Sequence, residues 1–201
     1  MQNRNSFPTL LLVGLLAAFA LAIIAAFVIK SAKSSRADLP VITSVPEFTL
    51  TERSGQEISR SDMLGTLWVV DFIFTNCPSA CPIMSREMAE LYELYSHSNK
   101  IRFLSISVDP ERDTLETLRA YAKSLGVTDN RWLFGRGPIE KVIQISEKGF
   151  LLPAENLPMG HSTKFVLVDE QANIRGYYDA LNEAEIELMK THIRELARKM
   201  R

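Results

Sequence analysis

Cysteine and histidine are scarce in this chain: two cysteines and three histidines among 201 residues. Cys77 and Cys81 are four positions apart, too close for a cross-link to restrain the unfolded chain much, so a purely structural disulfide has little to offer. A basic surplus is also missing. Arg4, Lys30, Lys33 and Arg36 all precede Asp38, which leaves 19 basic residues against 24 acidic ones from there on. That balance argues against nucleic acid as a partner, because phosphate binding needs a basic footprint. There is no internal repeat and no long Arg/Ser-rich leader, which disfavours a mitochondrial precursor.

One long hydrophobic run is present. Thr9 to Ile29 carries no charge, and its roughly 20 residues match a hydrocarbon core of about 30 Å. The run exceeds the core of a signal peptide, lacks a small-x-small cleavage site and has no cysteine nearby for lipid attachment, so it reads as an uncleaved anchor. Residues 1–30 are therefore expected to be a membrane anchor, 31–45 a Ser/Ala/Lys/Pro linker, and 46–201 the folded domain. Lys30, Lys33 and Arg36 follow the span and only Arg4 precedes it, so a positive-inside count alone puts the domain in the cytoplasm. The cysteine chemistry favours an oxidising compartment, and the expectation follows the chemistry.

Cys77 and Cys81 lie in Phe-Ile-Phe-Thr-Asn-Cys-Pro-Ser-Ala-Cys-Pro. Leu67 to Phe74 reads as a buried strand, being nearly continuous and rich in Val, Ile and aromatics. A helix follows, with Ile83, Met84, Glu87, Met88, Leu91 and Tyr95 at helical spacing. The pair thus sits where a core strand turns into a helix, and the free N–H groups of the helix start favour thiolates. Two such thiolates can form a disulfide or clamp a soft metal ion.

The rest of the domain alternates strand and helix. Glu47 to Leu50 and Gln56 to Ser59 are expected to be strands around Ser54-Gly55, and Ile101 to Val108 a second buried strand. Asp113 with Glu116 forms a capping-box pattern for a helix faced by Leu115, Leu118, Ala122 and Leu125 and ended by Gly126. Pro138 opens another helix towards Gly149. Lys164 to Val168 and Ile174 to Tyr178 pair as a hairpin, and Asn182 with Glu185 caps a last helix faced by Ile186, Met189, Ile193 and Leu196. This is an α/β layer fold, and a cysteine motif after the first core strand narrows it to a thioredoxin-like sheet with flanking helices.

Three residues separate the cysteines, where the usual redox motif has two. Two thiolates alone give copper(I) a linear site, and a third ligand makes it trigonal. His97 and His192 read as ordinary surface or part-buried histidines. His161, in Pro-Met-Gly-His-Ser-Thr ahead of a strand, is placed where ligand sites gather at a sheet's end; a ligand and a loop-stabilising histidine are both open. Met84 and Met88 read as packing, and Met159 as at most a weak axial group. Asp109 and Asp113 either shape a turn and cap or tune the site. Asp71, a charge in a core strand, is either paired or near the active edge.

Phe74-Thr75-x-Cys77-Pro78-x-x-Cys81-Pro82, Ser107-Val108-Asp109-Pro110-Glu111-Arg112-Asp113-Thr114, Trp132-x-Phe134-Gly135 and His161 ahead of Phe165-x-Leu167-Val168-Asp169 resemble the Sco/SenC copper proteins. The resemblance runs from Pro46 to the C-terminus. It implies a thioredoxin-like fold tethered to the inner membrane of a bacterium and facing the periplasm. Its implied ligands for one copper ion are Cys77, Cys81 and His161. The implied role is copper delivery to the binuclear copper centre of cytochrome c oxidase, with that oxidase subunit, other copper chaperones and thiol reductants as partners. The rival readings are thiol–disulfide exchange that keeps oxidase cysteines reduced, with Cys77 and Cys81 as the redox pair, and peroxide reduction by a low-pKa cysteine. Two positions depart from expectation. Family members often have an acidic residue where Gly160 stands, and thioredoxin-like reductases usually have a cis-proline near where Thr163 stands.

Overall fold

The computed structural model describes residues 13–24 and 39–200. Residues 13–24 form a helix, α1, whose apolar side chains are exposed. Among the described residues no helix is long and apolar enough to cross a membrane. The remainder of the expected anchor, and most of the expected linker, lie outside the described residues.

Residues 39–201 form a separate compact unit. Its strands are β1 (Thr43–Ser44), β2 (Thr49–Glu52), β3 (Glu57–Ser59), β4 (Leu67–Ile73), β5 (Ile101–Ser107), β6 (Trp132–Arg136), β7 (Lys164–Val168) and β8 (Asn173–Asp179). Its helices are α2 (Ala80–Leu94), α3 (Leu115–Ser124), α4 (Ile139–Gln144) and α5 (Glu183–Lys199). One sheet runs in the order β1-β8-β7-β4-β5-β6-β2-β3. β4, β5 and β6 are parallel, and β7 joins β4 antiparallel. All seven residues of β4 are buried, as a central strand covered on both faces requires. This is the α/β arrangement expected, with the strand-to-helix turn after β4 at the C-terminal end of the parallel strands.

Several local expectations shift. The buried stripe of α2 is Cys81, Met84, Ser85, Met88, Leu91 and Tyr92, so the helix is rotated from the expected face and Ile83 is 42% exposed. Residues 39–45, read as part of the linker, belong to the compact unit: β1 pairs with β8 and Val45 is buried. β6 was not anticipated as a strand. Its Gly135 lies so close to Leu50 that an added Cβ would meet that side chain at 3.1 Å.

The expected capping boxes also differ. Thr114, not Asp113, caps α3 by accepting from the Thr117 N–H. Asn182 caps α5 as expected, but the Glu185 carboxylate accepts from the Asp179 N–H instead of reaching back to Asn182. The helix after Pro138 is α-helical only to Gln144 and continues as a π turn over Ile145–Gly149.

Candidate metal centre

β4 delivers the chain through buried Phe74 to a short loop, and α2 starts at Ala80. Cys77 is on the loop, and Cys81 is the second residue of the helix. Pro82 is tolerated there because the first helical turn leaves N–H groups without partners in any case. Both thiols are free. The Cys81 N–H points at the Cys77 sulfur at 3.4 Å, and the Ser79 hydroxyl lies 3.9 Å from it.

The two cysteines are not equivalent. Partial burial works against a Cys77 thiolate, but hydrogen bonds from the Ser79 and Cys81 backbones outweigh it and bring the thiol below its ordinary range. Burial pushes the Cys81 thiol far up, and the nearby Cys77 and Asp71 charges push the same way. The helix start thus favours a thiolate at Cys77 alone. At Cys81 desolvation wins until a cation arrives to offset the charge.

His161 precedes β7 and closes the site. Its Nε2 is 3.2 Å from the Cys81 sulfur. Its Nδ1 is 3.1 Å from the Ser162 carbonyl, an acceptor only, so Nδ1 carries the proton and the Nε2 lone pair faces the thiols. Burial lowers the pKa of the ring, favouring the neutral form that binds metals. Phe74 packs against it edge-on, with centroids 5.6 Å apart. The ligand atoms of Cys77, Cys81 and His161 all lie within 4.8 Å of one another. Two soft sulfurs and one imidazole nitrogen suit copper.

The loop before His161 explains its glycine. The Gly160 N–H bonds the Asn156 carbonyl, and a Cβ at Gly160 would sit 2.0 Å from the Glu155 carbonyl oxygen. An acidic residue in that place would force the loop open.

The other candidates lie elsewhere. Met84 and Met88 are fully buried packing, and Met159 is 62% exposed. His97 is exposed, and His192 bonds the Tyr178 hydroxyl. Asp109 pairs with Arg112. Asp71 is fully buried and neither carboxylate oxygen has a hydrogen-bond partner; burial pushes its pKa up to about 7. The roles of Phe74 and Ser162 around the imidazole were not anticipated, and nothing local in the sequence signals them.

Known proteins share this fold. The SCO1/SenC family model matches residues 38–198. The SCO1 protein homolog of Bacillus subtilis is 33% identical over 106 residues, spanning 52% of this chain and 55% of that protein. A SCO1/SenC family lipoprotein from Bacillus anthracis superposes with a TM-score of 0.73 at 27% identity, over 80% of this chain and 98% of that one. BsSco, a member of the Sco family of cytochrome c oxidase assembly proteins, gives 0.69 at 26% identity over 79% and 96%. Arabidopsis thaliana ScoI with copper bound shares the fold, with a TM-score of 0.63 at 21% identity over 75% and 98%. A thioredoxin-like sheet, a Cys–Cys–His cluster at the C-terminal end of its parallel strands and a family match over most of the length lead to one assignment: this chain belongs to the SCO1/SenC family.

Proposed function

We propose that the protein is a copper metallochaperone that holds one copper ion through Cys77, Cys81 and His161 and delivers it to the binuclear copper centre of cytochrome c oxidase during assembly. The observation that carries this reading is the convergence of two sulfurs and a correctly oriented imidazole nitrogen within 4.8 Å. The copper-bound relative and the oxidase-assembly role of BsSco support it. In this reading Thr9 to Ile29 anchors the chain in a bacterial inner membrane and the domain faces the periplasm, where copper and oxidase partners meet.

The site geometry suits capture and release. The Cys77 sulfur meets the incoming ion first, being part-exposed and the more easily ionised of the two. Cys81 gives up its proton to solvent as the cation offsets its charge. The His161 Nε2 completes a trigonal set. Copper titration of reduced and oxidised protein tests this. Reduced protein binds one ion, and oxidised protein binds none, because a disulfide offers no thiolate. Cys77→Ser or Cys81→Ser removes tight binding. Equal binding by the oxidised protein would overturn the reading.

A second reading is favoured by the cysteine asymmetry. A part-exposed Cys77 with a lowered pKa beside a buried Cys81 with a raised one is the arrangement of an attacking and a resolving thiol. Thiol–disulfide exchange with oxidase cysteines is compatible with copper delivery, since loading needs reduced thiols. It differs in needing no His161.

A further inference from the structure

Asp113 was expected at the start of a helix, yet the cap of α3 is supplied by Thr114. Its carboxylate is fully buried and turns to the metal centre's loop. The Thr75 N–H donates to both carboxylate oxygens, at 3.2 and 3.3 Å, and the Thr75 hydroxyl donates to one at 2.6 Å. The Ser107 hydroxyl, at the end of β5, donates to the other at 2.6 Å. A buried carboxylate is costly unless donors converge on it, and here three do. Thr75 is two residues before Cys77. Apart from the helical bonds of α2 and the contacts within residues 74–81, the hydrogen bonds of residues 75–79 among the described residues go to Asp113.

We propose that Asp113 is a positioning residue for the metal centre: by latching Thr75 to the end of β5 it fixes the loop that presents Cys77 opposite Cys81 and His161. The latch sets the spacing of the two sulfurs, and so both copper affinity and the ease of closing the disulfide. This rests on the copper reading above, but the disulfide does not, which allows the two to fail separately. Groups that hold a metal centre in place without touching the metal commonly account for about 10–100-fold in affinity.

The test uses the full chain, purified in detergent. Thr75→Val removes the hydroxyl donor while keeping the side chain's shape, Thr75→Ser restores the donor, and Asp113→Asn replaces an acceptor oxygen with a donor group. Three quantities are measured: copper(I) affinity by competition, the Cys77–Cys81 reduction potential, and the thermal midpoint. The latch predicts that Thr75→Val and Asp113→Asn weaken copper(I) binding by about tenfold or more and shift the potential, and that Thr75→Ser behaves as wild type. A lowered thermal midpoint with unchanged affinity and potential would overturn it, leaving Asp113 a purely structural group. If Asp113→Asn does not fold, the two Thr75 variants decide alone. If wild type binds no copper, the copper reading fails, and the potential decides the latch by the same comparison.

Discussion

The Nε2 of His161 stands 3.2 Å from the sulfur of Cys81, although 80 residues separate them in the chain. Its other ring nitrogen is committed to the Ser162 carbonyl, so the free lone pair is aimed at the thiols before any ion is present. Cys81 in turn is held as a thiol by burial. Metal capture at this site therefore displaces a proton, which makes it sensitive to pH.

Copper(I) affinity should rise by at least about tenfold per pH unit near neutrality, because each ion bound releases the Cys81 proton and any proton that Cys77 still holds. In acid the slope should steepen. There the His161 ring, whose pKa burial lowers, begins to hold a further proton that copper must also displace. Competition titrations at several pH values check this, and a flat profile would contradict it.

Asp71 should make stability pH-dependent. Folded, it keeps its proton up to about pH 7, whereas an unfolded aspartate loses it near about pH 3.9. Between those values the folded state binds the extra proton, so stability falls as pH rises through the window. Asp71→Asn carries no charge in either state and avoids that loss. Its stability relative to wild type should improve by about 3 kcal/mol between pH 5 and pH 8. Urea unfolding of residues 39–201 at both pH values measures it, and a pH-independent difference would refute it.

Gly160→Asp should weaken copper binding here. The new Cβ collides with the Glu155 carbonyl, the loop opens, and His161 moves from Cys81. A loss of about tenfold or more is expected, with the Cys77–Cys81 disulfide still able to form. Affinity equal to wild type would show that the loop tolerates the side chain.

The domain should begin at Leu39. Val45 is buried, the Ile42 and Val45 N–H groups bond the carbonyls of Ile174 and Ala172, and Arg175 reaches the Leu39 and Pro40 carbonyls. A fragment starting at Pro46 loses all of these. It should be less stable than 39–201 by at least about 2 kcal/mol, the worth of one buried aliphatic side chain. Equal unfolding midpoints would restore the later boundary.

These cases show what local pattern reveals. β4 was legible because a central strand is apolar throughout, and the face of α5 because Ile186, Met189, Ile193 and Leu196 keep helical spacing and are all buried. β1 was not, because two residues paired only to β8 leave no periodicity. β6 was not, because Gly135 answers to Leu50, far away in the chain. Asp113 matched a capping pattern, but Thr75, 38 residues away, claims its carboxylate. At the site, residue order nominated Cys77 and Cys81, whereas the position of His161 left a ligand and a loop-stabilising role both open, and only the family resemblance put it in the ligand set. The inequality of the cysteines was hidden, because it depends on burial and not on spacing.

X-ray absorption of the full chain loaded with one equivalent of copper(I), wild type beside His161→Ala, tests the central claim most directly. A shell of two sulfurs and one imidazole nitrogen is expected in wild type, with the nitrogen lost in the variant. The same sulfur-only shell in both proteins would contradict it.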